Sequence, residues 1–420
     1  MKTKQFTSLA LALALAGRAF SQTAPVDIQA NDTARFLAGL PPSSGSPLAV
    51  IAKEGSWQEH AKFFDAAWAN LEKDHLSKIR AWRSAYIPDA SASKSPVFYM
   101  FSGPDYLYVD TFFPNGSTYV LCGIEPVGAL PDITRIRPGS LPVELHTLQA
   151  SLNSVLNFSF FITKEMKSEL QNHELSGILP VIYIFLARSN KIIHEVSLVG
   201  LDQTGAVQVV DEAATKSKSL TPGVKITFSH ADATEPQTLY FFSTDISDDG
   251  IKKSGFLKFC ESLAPGNSFV KSASYLMHES YFSTIRSFLL NNSNTLVQDD
   301  SGIPISFFAP DSWQLRYFGS YPGPISIFAK YLQPQLYSIY QHSHPVPLDF
   351  GIGYRHYAKQ STLILGTRKS QPSEAAPASS PAAGPAAAMG QAPEAPVAAP
   401  GGITAVPAGS ASSRPTPALQ

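Results

Sequence analysis

Helical and strand-like hydrophobic periodicities come in blocks along this chain and do not strictly alternate. This grouping restricts the fold more than any single motif does. Strict alternation would build crossover units on a parallel sheet, whereas blocks favour helices set apart from an antiparallel sheet. The expected class is α+β, with mostly antiparallel sheets and long amphipathic helices.

The first helical stripe carries Trp57, Ala61, Phe64, Trp68, Leu71, His75 and Trp82, with Pro88 stopping it. Ser56 and Glu59 have the spacing of a capping box at its start. A β block follows, with strands expected over 96–101, 106–113 and 118–124. Ser102-Gly103-Pro104-Asp105 and Pro114-Asn115-Gly116-Ser117 are its turns. Leu145, Leu148, Leu152, Val155, Ser159, Ile162 and Met166 form a second stripe, ended at Gly177. The continuous apolar run 178–187 is expected as a buried strand, followed by strands at 192–201, 206–210, 224–229 and 238–243. The last third reads as helices over 250–263, 275–290 and 325–340, with short strands at 295–298, 305–308 and 313–318. A closing hairpin is expected from 348–357 and 362–366.

A faint echo runs through these blocks. Tyr99-Met100-Phe101-Ser102 returns as Tyr240-Phe241-Phe242-Ser243, and 113–120 loosely matches 290–297. Two related halves, 56–220 and 221–368, would produce it; so would chance similarity between aromatic strands.

The two ends have other compositions. Lys2 and Lys4 precede a Leu/Ala run of about eight residues, too short to span a membrane. Ala19 and Ser21 then place small residues before a cut at Gln22. This is the layout of a secretory signal peptide over 1–21. Residues 22–55 read as a linker. Residues 369–420 are dominated by Pro and Ala, with no aromatic side chain. Such a tail has nothing to offset the entropy of ordering and reads as a disordered spacer. The formal net charge is −1, and removing Lys2, Lys4 and Arg18 makes it −1 − 3 = −4. That balance excludes a strongly basic nucleic-acid binder. No transmembrane span is expected in the mature chain.

Strong catalytic signatures are missing. No GxSxG elbow, HExxH helix, phosphate loop or CxxC pair occurs, and no cofactor motif is legible. Cys122 and Cys260 are the only cysteines; one bridge or two separate buried thiols are both compatible with an oxidising compartment. Four weaker constellations remain. Asp105 in its turn, with Asp110 and Glu125 nearby, offers carboxylates for acid–base work if burial splits their pKa values. Asp299 and Asp300 follow a strand, and their paired carboxylates suit a hard cation through oxygen ligands or simply a solvated turn. His342 and His344 share a side in extended backbone, but no third metal ligand is identifiable, so no metal site is assigned. Gly351-Ile352-Gly353-Tyr354-Arg355-His356 leaves a gap beside an arginine that suits an anion. Tyr106, Tyr108 and Tyr354 are candidate ring surfaces for a glycan or peptide, with Arg355 beside them.

The strings at 101–105 (FSGPD), 118–128 (TYVLCGIEPVG), 298–304 (QDDSGIP) and 351–355 (GIGYR) together resemble a set of exported bacterial proteins of unknown function. The resemblance covers most of residues 57–367. It implies an exported bacterial protein, periplasmic or secreted, and carries over no catalytic residue. The expected function is non-catalytic binding of a small ligand, envelope glycan or peptide. The alternatives are a carboxylate-dependent hydrolase using Asp105, Glu125, Asp299 or Asp300, and a structural envelope component tethered by its tail.

Overall fold

The computed structural model describes residues 25–137, 139–161, 173–217, 219–233 and 235–369. The expected signal peptide, the tail from 370 onward, and Ile162 and Met166 of the second stripe lie outside the described residues.

One ten-stranded sheet organises the chain. Its strands are β1 (Val97–Tyr99), β2 (Thr118–Gly123), β3 (Lys191–Leu201), β4 (Val207–Val209), β5 (Thr221–His230), β6 (Gln237–Ser243), β7 (Gly266–Val270), β8 (Ser293–Gln298), β9 (Trp313–Gly319) and β10 (Thr362–Arg368). They lie in the order β4-β3-β5-β6-β2-β1-β7-β8-β10-β9. The expected mixed class with a mostly antiparallel sheet fits: five of the nine pairings are antiparallel. The four in the middle, β6-β2-β1-β7-β8, are parallel. Strands from both sides of residue 220 interleave, since β1 lies between β2 and β7, and β5 between β3 and β6.

The pleat sends alternate residues of the central strands into two cores. Val97, Tyr99, Tyr119 and Leu121 join the helices at Gly55–Leu71, Tyr106–Phe112, Leu141–Phe158 and Leu179–Arg188. Phe98, Met100, Val120 and Cys122 join the helices at Phe256–Ser262 and Ser283–Asn292. The chain therefore passes from β1 to β2 through the 106–112 helix on one face. It passes from β7 to β8 through the 283–292 helix on the other face, in the opposite direction along the sheet.

Several expected elements differ, each for a physical reason. Residues 106–112 are a helix and not a strand. Asp105 caps it by accepting from the Tyr108 N–H, and every residue from Tyr106 to Phe112 is buried. A helix buried all round shows no helical stripe, so its rings imitate a strand. The apolar run at 178 is likewise the helix Leu179–Arg188, buried from Leu179 to Leu186, with Pro180 in its first turn. The region read as a linker holds the helix Ile28–Leu37. Asp27 caps that helix, Phe36 and Leu37 are buried, and the Trp57 indole donates to the Phe36 carbonyl. The first stripe is helical from Gly55 to Tyr86, with a π-turn over Glu72–Leu76; its start is capped by no side chain, so Ser56 and Glu59 form no capping box. Residues 305–307 are a 3₁₀ turn, and 348–357 is irregular apart from one bridge, Ile352 to Arg355. β7 was not expected at all. Cys122 and Cys260 are both buried free thiols. Among the described residues no helix is long and apolar enough to cross a membrane.

Candidate active site at the carboxyl edge of the parallel strands

The opposed connections make the junction of β1 and β7 a topological switch point. Loops leaving the carboxyl ends of two such strands part in opposite directions and open a crevice, where ligands of α/β sheets commonly bind. Asp105 follows β1, Glu125 follows β2, Lys271 follows β7, and Asp299 and Asp300 follow β8. The pairing of Val270 with Gln298 sets Lys271 level with Asp299.

Asp105 and Lys271 form an ion pair at 2.8 Å, each side chain only 1% exposed. The same Asp105 oxygen, Oδ2, accepts from the Tyr99 hydroxyl at 2.8 Å. Its Oδ1 accepts from the Tyr108 N–H. Lys271 Nζ also donates to the Ser159 carbonyl and stands 4.2 Å over the Tyr108 ring. Sequence reasoning missed Lys271, because β7 is a short polar segment without alternation. The one available signal was a lysine directly after Phe269 and Val270.

Asp299 Oδ2 accepts from the Ser272 N–H at 2.9 Å, and Oδ1 from the N–H and hydroxyl of Ser301. Asp300 Oδ2 accepts from the Tyr275 hydroxyl at 2.5 Å. Both carboxyls are buried, and burial raises both above the usual aspartate range. Asp300 is pushed up to about 7 by burial first and then by the charge of Asp299. Asp299 has three donors and the nearby Lys271 cation favouring its ionised form, and Asp300 has the Tyr275 hydroxyl, its own backbone N–H and the Arg355 cation. The pair therefore exchanges a proton near neutral pH, on the side of Asp300, which burial lifts to about 7.

The anion-sized gap of the Gly351–His356 segment is filled by the protein itself. A Cβ on Gly353 would strike the Asp299 carboxylate, and Gly353 has φ +73°. Tyr354 reaches the same place: its hydroxyl donates to the Ser272 carbonyl and accepts from the Ser274 N–H. Arg355 donates to the Gly323 and Pro324 carbonyls, and its cation also favours the ionised form of Asp300. Tyr275 is stacked 5.2 Å from Tyr331 and 6.3 Å from Tyr354, with Phe328 against both Tyr275 and Tyr354. These rings make a wall that backs onto Asp300 through the Tyr275 hydroxyl. Tyr331 and Tyr354 are half-buried.

Backbone strain concentrates here. Among the described residues seven non-glycine residues have positive φ, and five of them surround this edge: Phe101, Ser159, Ser272, Ser274 and Tyr275. Each costs on the order of 1–3 kcal/mol, and such costs persist where surrounding contacts enforce them.

The remaining candidates separate from this cluster. Glu125 is buried at the same edge but lies over Gly103 and Gly123, above the end of β2. Asp110 sits in the 106–112 helix, where it pairs with Lys191 at 2.8 Å and accepts from the Tyr106 hydroxyl. Tyr106 and Tyr108 are fully buried, so they present no ring surface to a ligand. Tyr106 packs on Tyr119 and Phe228. His342 and His344 are exposed, and His342 bonds the Ser338 carbonyl within its own helix. Among the described residues no three His, Cys, Asp or Glu side chains are arranged to hold a metal ion. No family model, no curated protein and no solved structure matches this chain, so its chemistry has to be read from its own residues.

Proposed function

We propose that the protein is an exported hydrolase working by general acid–base catalysis through Asp299 and Asp300. The observation that carries this is the convergence of two buried carboxyls, both raised by burial, with the Asp105–Lys271 pair at a topological switch point. Hydrolysis needs one group to take a proton from water and another to give one to the leaving group. In this reading ionised Asp299 takes the first role and protonated Asp300 the second. The Ser272 and Ser301 donors favour the charged form of Asp299. The clustering of strained backbone at this edge adds support, as does the ring wall of Tyr275, Phe328, Tyr331 and Tyr354 for a substrate with a flat apolar face. Export rests on the signal-peptide layout of residues 1–21 and on the resemblance to exported bacterial proteins.

The second reading is a non-catalytic binder of an envelope glycan or peptide, favoured by that same wall. One experiment separates the two. Purified protein is presented with peptide, ester and glycan substrates across pH 5–9, alongside Asp299→Asn and Asp300→Asn. The hydrolase reading expects turnover that falls as pH rises past about 7 and is lost in both variants. Binding without turnover in the wild type supports the second reading. Turnover that survives in both variants sinks the first.

A further inference from the structure

Lys271 and Asp105 are more than a salt bridge awaiting solvent. Both charges are 99% removed from water, in a setting built from Tyr99, Tyr108 and Phe269. Desolvating two ions costs several kcal/mol each, and their attraction recovers this only in part. Condensation to an amide removes both charges and releases one water. Groups held at contact reach effective molarities of about 10⁵–10⁸ M, which removes much of the barrier to attack. The water released leaves a site closed to solvent.

We infer that Lys271 Nζ and Asp105 Cγ join in an isopeptide bond once the chain has folded. The geometry selects which oxygen leaves. Asp105 Oδ1 is held by the Tyr108 N–H at the helix start, while Oδ2 is flanked by both proton donors, Lys271 and the Tyr99 hydroxyl, each at 2.8 Å. The ammonium gives a proton to Oδ2, and the neutral amine attacks Cγ. A second nitrogen proton passes through the Tyr99 hydroxyl to Oδ2, the Cγ–Oδ2 bond breaks, and water departs. The sum is an ammonium plus a carboxylate giving an amide plus water, with no change of oxidation state. The product stays satisfied: the amide N–H keeps the Ser159 carbonyl as acceptor, and Oδ1 keeps the Tyr108 N–H as donor. Tyr99 acts as the proton relay, and burial raises its pKa well above the ordinary tyrosine value, which keeps it protonated. The bond would tie the loop after β1 to the end of β7 across the switch point. The bond removes the Lys271 charge beside Asp299 and leaves the Ser272 and Ser301 donors in place there; the mass measurement reads the cross-link whatever the outcome for the hydrolase reading.

The test is mass spectrometry on the denatured full chain and its proteolytic digest. The expected wild-type result is an intact mass low by one water, with a branched peptide joining the segments of Asp105 and Lys271. Lys271→Arg keeps the positive charge and should give the full mass and two linear peptides. Tyr99→Phe removes only the relay and should lower the cross-linked fraction in freshly folded protein by at least about tenfold. Linear peptides carrying Asp105 and Lys271 separately in aged wild-type protein would overturn the inference. So would a water loss that maps to a cyclic imide at Asp105 alone. The wild-type digest decides even if a variant fails to fold.

Discussion

Replacing Asp300 with asparagine should make the protein more stable above neutral pH while abolishing the proposed hydrolysis. Asp300 has its pKa raised from 3.8 to about 7 in the folded chain. A carboxyl raised in this way binds its proton more tightly folded than unfolded. Its contribution is fully present below pH 3.8 and is lost as pH climbs through about 7. The span is 7 − 3.8 = 3.2 units, which at about 1.36 kcal/mol per unit gives a loss of roughly 4 kcal/mol. That figure is an upper one, because water entry around an ionised pair softens it. Asparagine cannot ionise, matches the protonated carboxyl in shape, and still offers an oxygen to the Tyr275 hydroxyl. Wild-type unfolding midpoints should therefore fall by several degrees between pH 5 and 8, and those of Asp300→Asn should fall much less. Denaturation followed by tyrosine and tryptophan fluorescence at half-unit pH steps measures this. Parallel pH profiles for the two proteins would show that Asp300 is ionised in the native state, and the proton assignment would have to be abandoned.

Three further outcomes are expected. Lys271→Met leaves Asp105 as a buried carboxyl without its partner, ionic or covalent, and should cost at least about 3–5 kcal/mol in chemical denaturation; a loss below about 1 kcal/mol would mean that Asp105 is readily hydrated and untied. Gly353→Ala adds a methyl against the Asp299 carboxylate at φ +73°; an unchanged melting temperature, where a drop of at least about 1–3 kcal/mol is expected, would place Gly353 away from Asp299. Burial pushes the Cys122 thiol up to about 12 and raises that of Cys260. Alkylating reagent should accordingly modify neither in native protein at pH 8 and both after denaturation.

Much of this site was legible as fragments. Asp105, Asp299 and Asp300 stood out because each follows a strand in a turn, and Tyr354 because its strand is interrupted by glycines. What no local pattern shows is that these fragments meet. Their meeting depends on β1 lying beside β7, a pairing between residues 97–99 and 267–269, and side-chain periodicity carries no information on such distant partners. The block-wise reading recovered the mixed class and the antiparallel majority. It missed the parallel centre because the first crossover helix imitates a strand and because β7, the strand before the expected 275–290 helix, went unread. The 106–112 helix is buried on every side, and the 283–292 helix follows two short 3₁₀ turns. Lys271 escaped for the related reason that β7 shows neither alternation nor β-branched enrichment.

The position of β1 has a further consequence, for the order of events in synthesis. Asp105 and its counter-ion are separated by 271 − 105 = 166 residues, and the acid pair arrives later still. A chain halted before residue 266 would present β1 as a bare sheet edge and Asp105 without its cation. On the hydrolase reading, chemical competence is withheld until the last third of the polypeptide has emerged and threaded into the middle of the sheet, so a nascent chain carries the fragments of the site without the site itself.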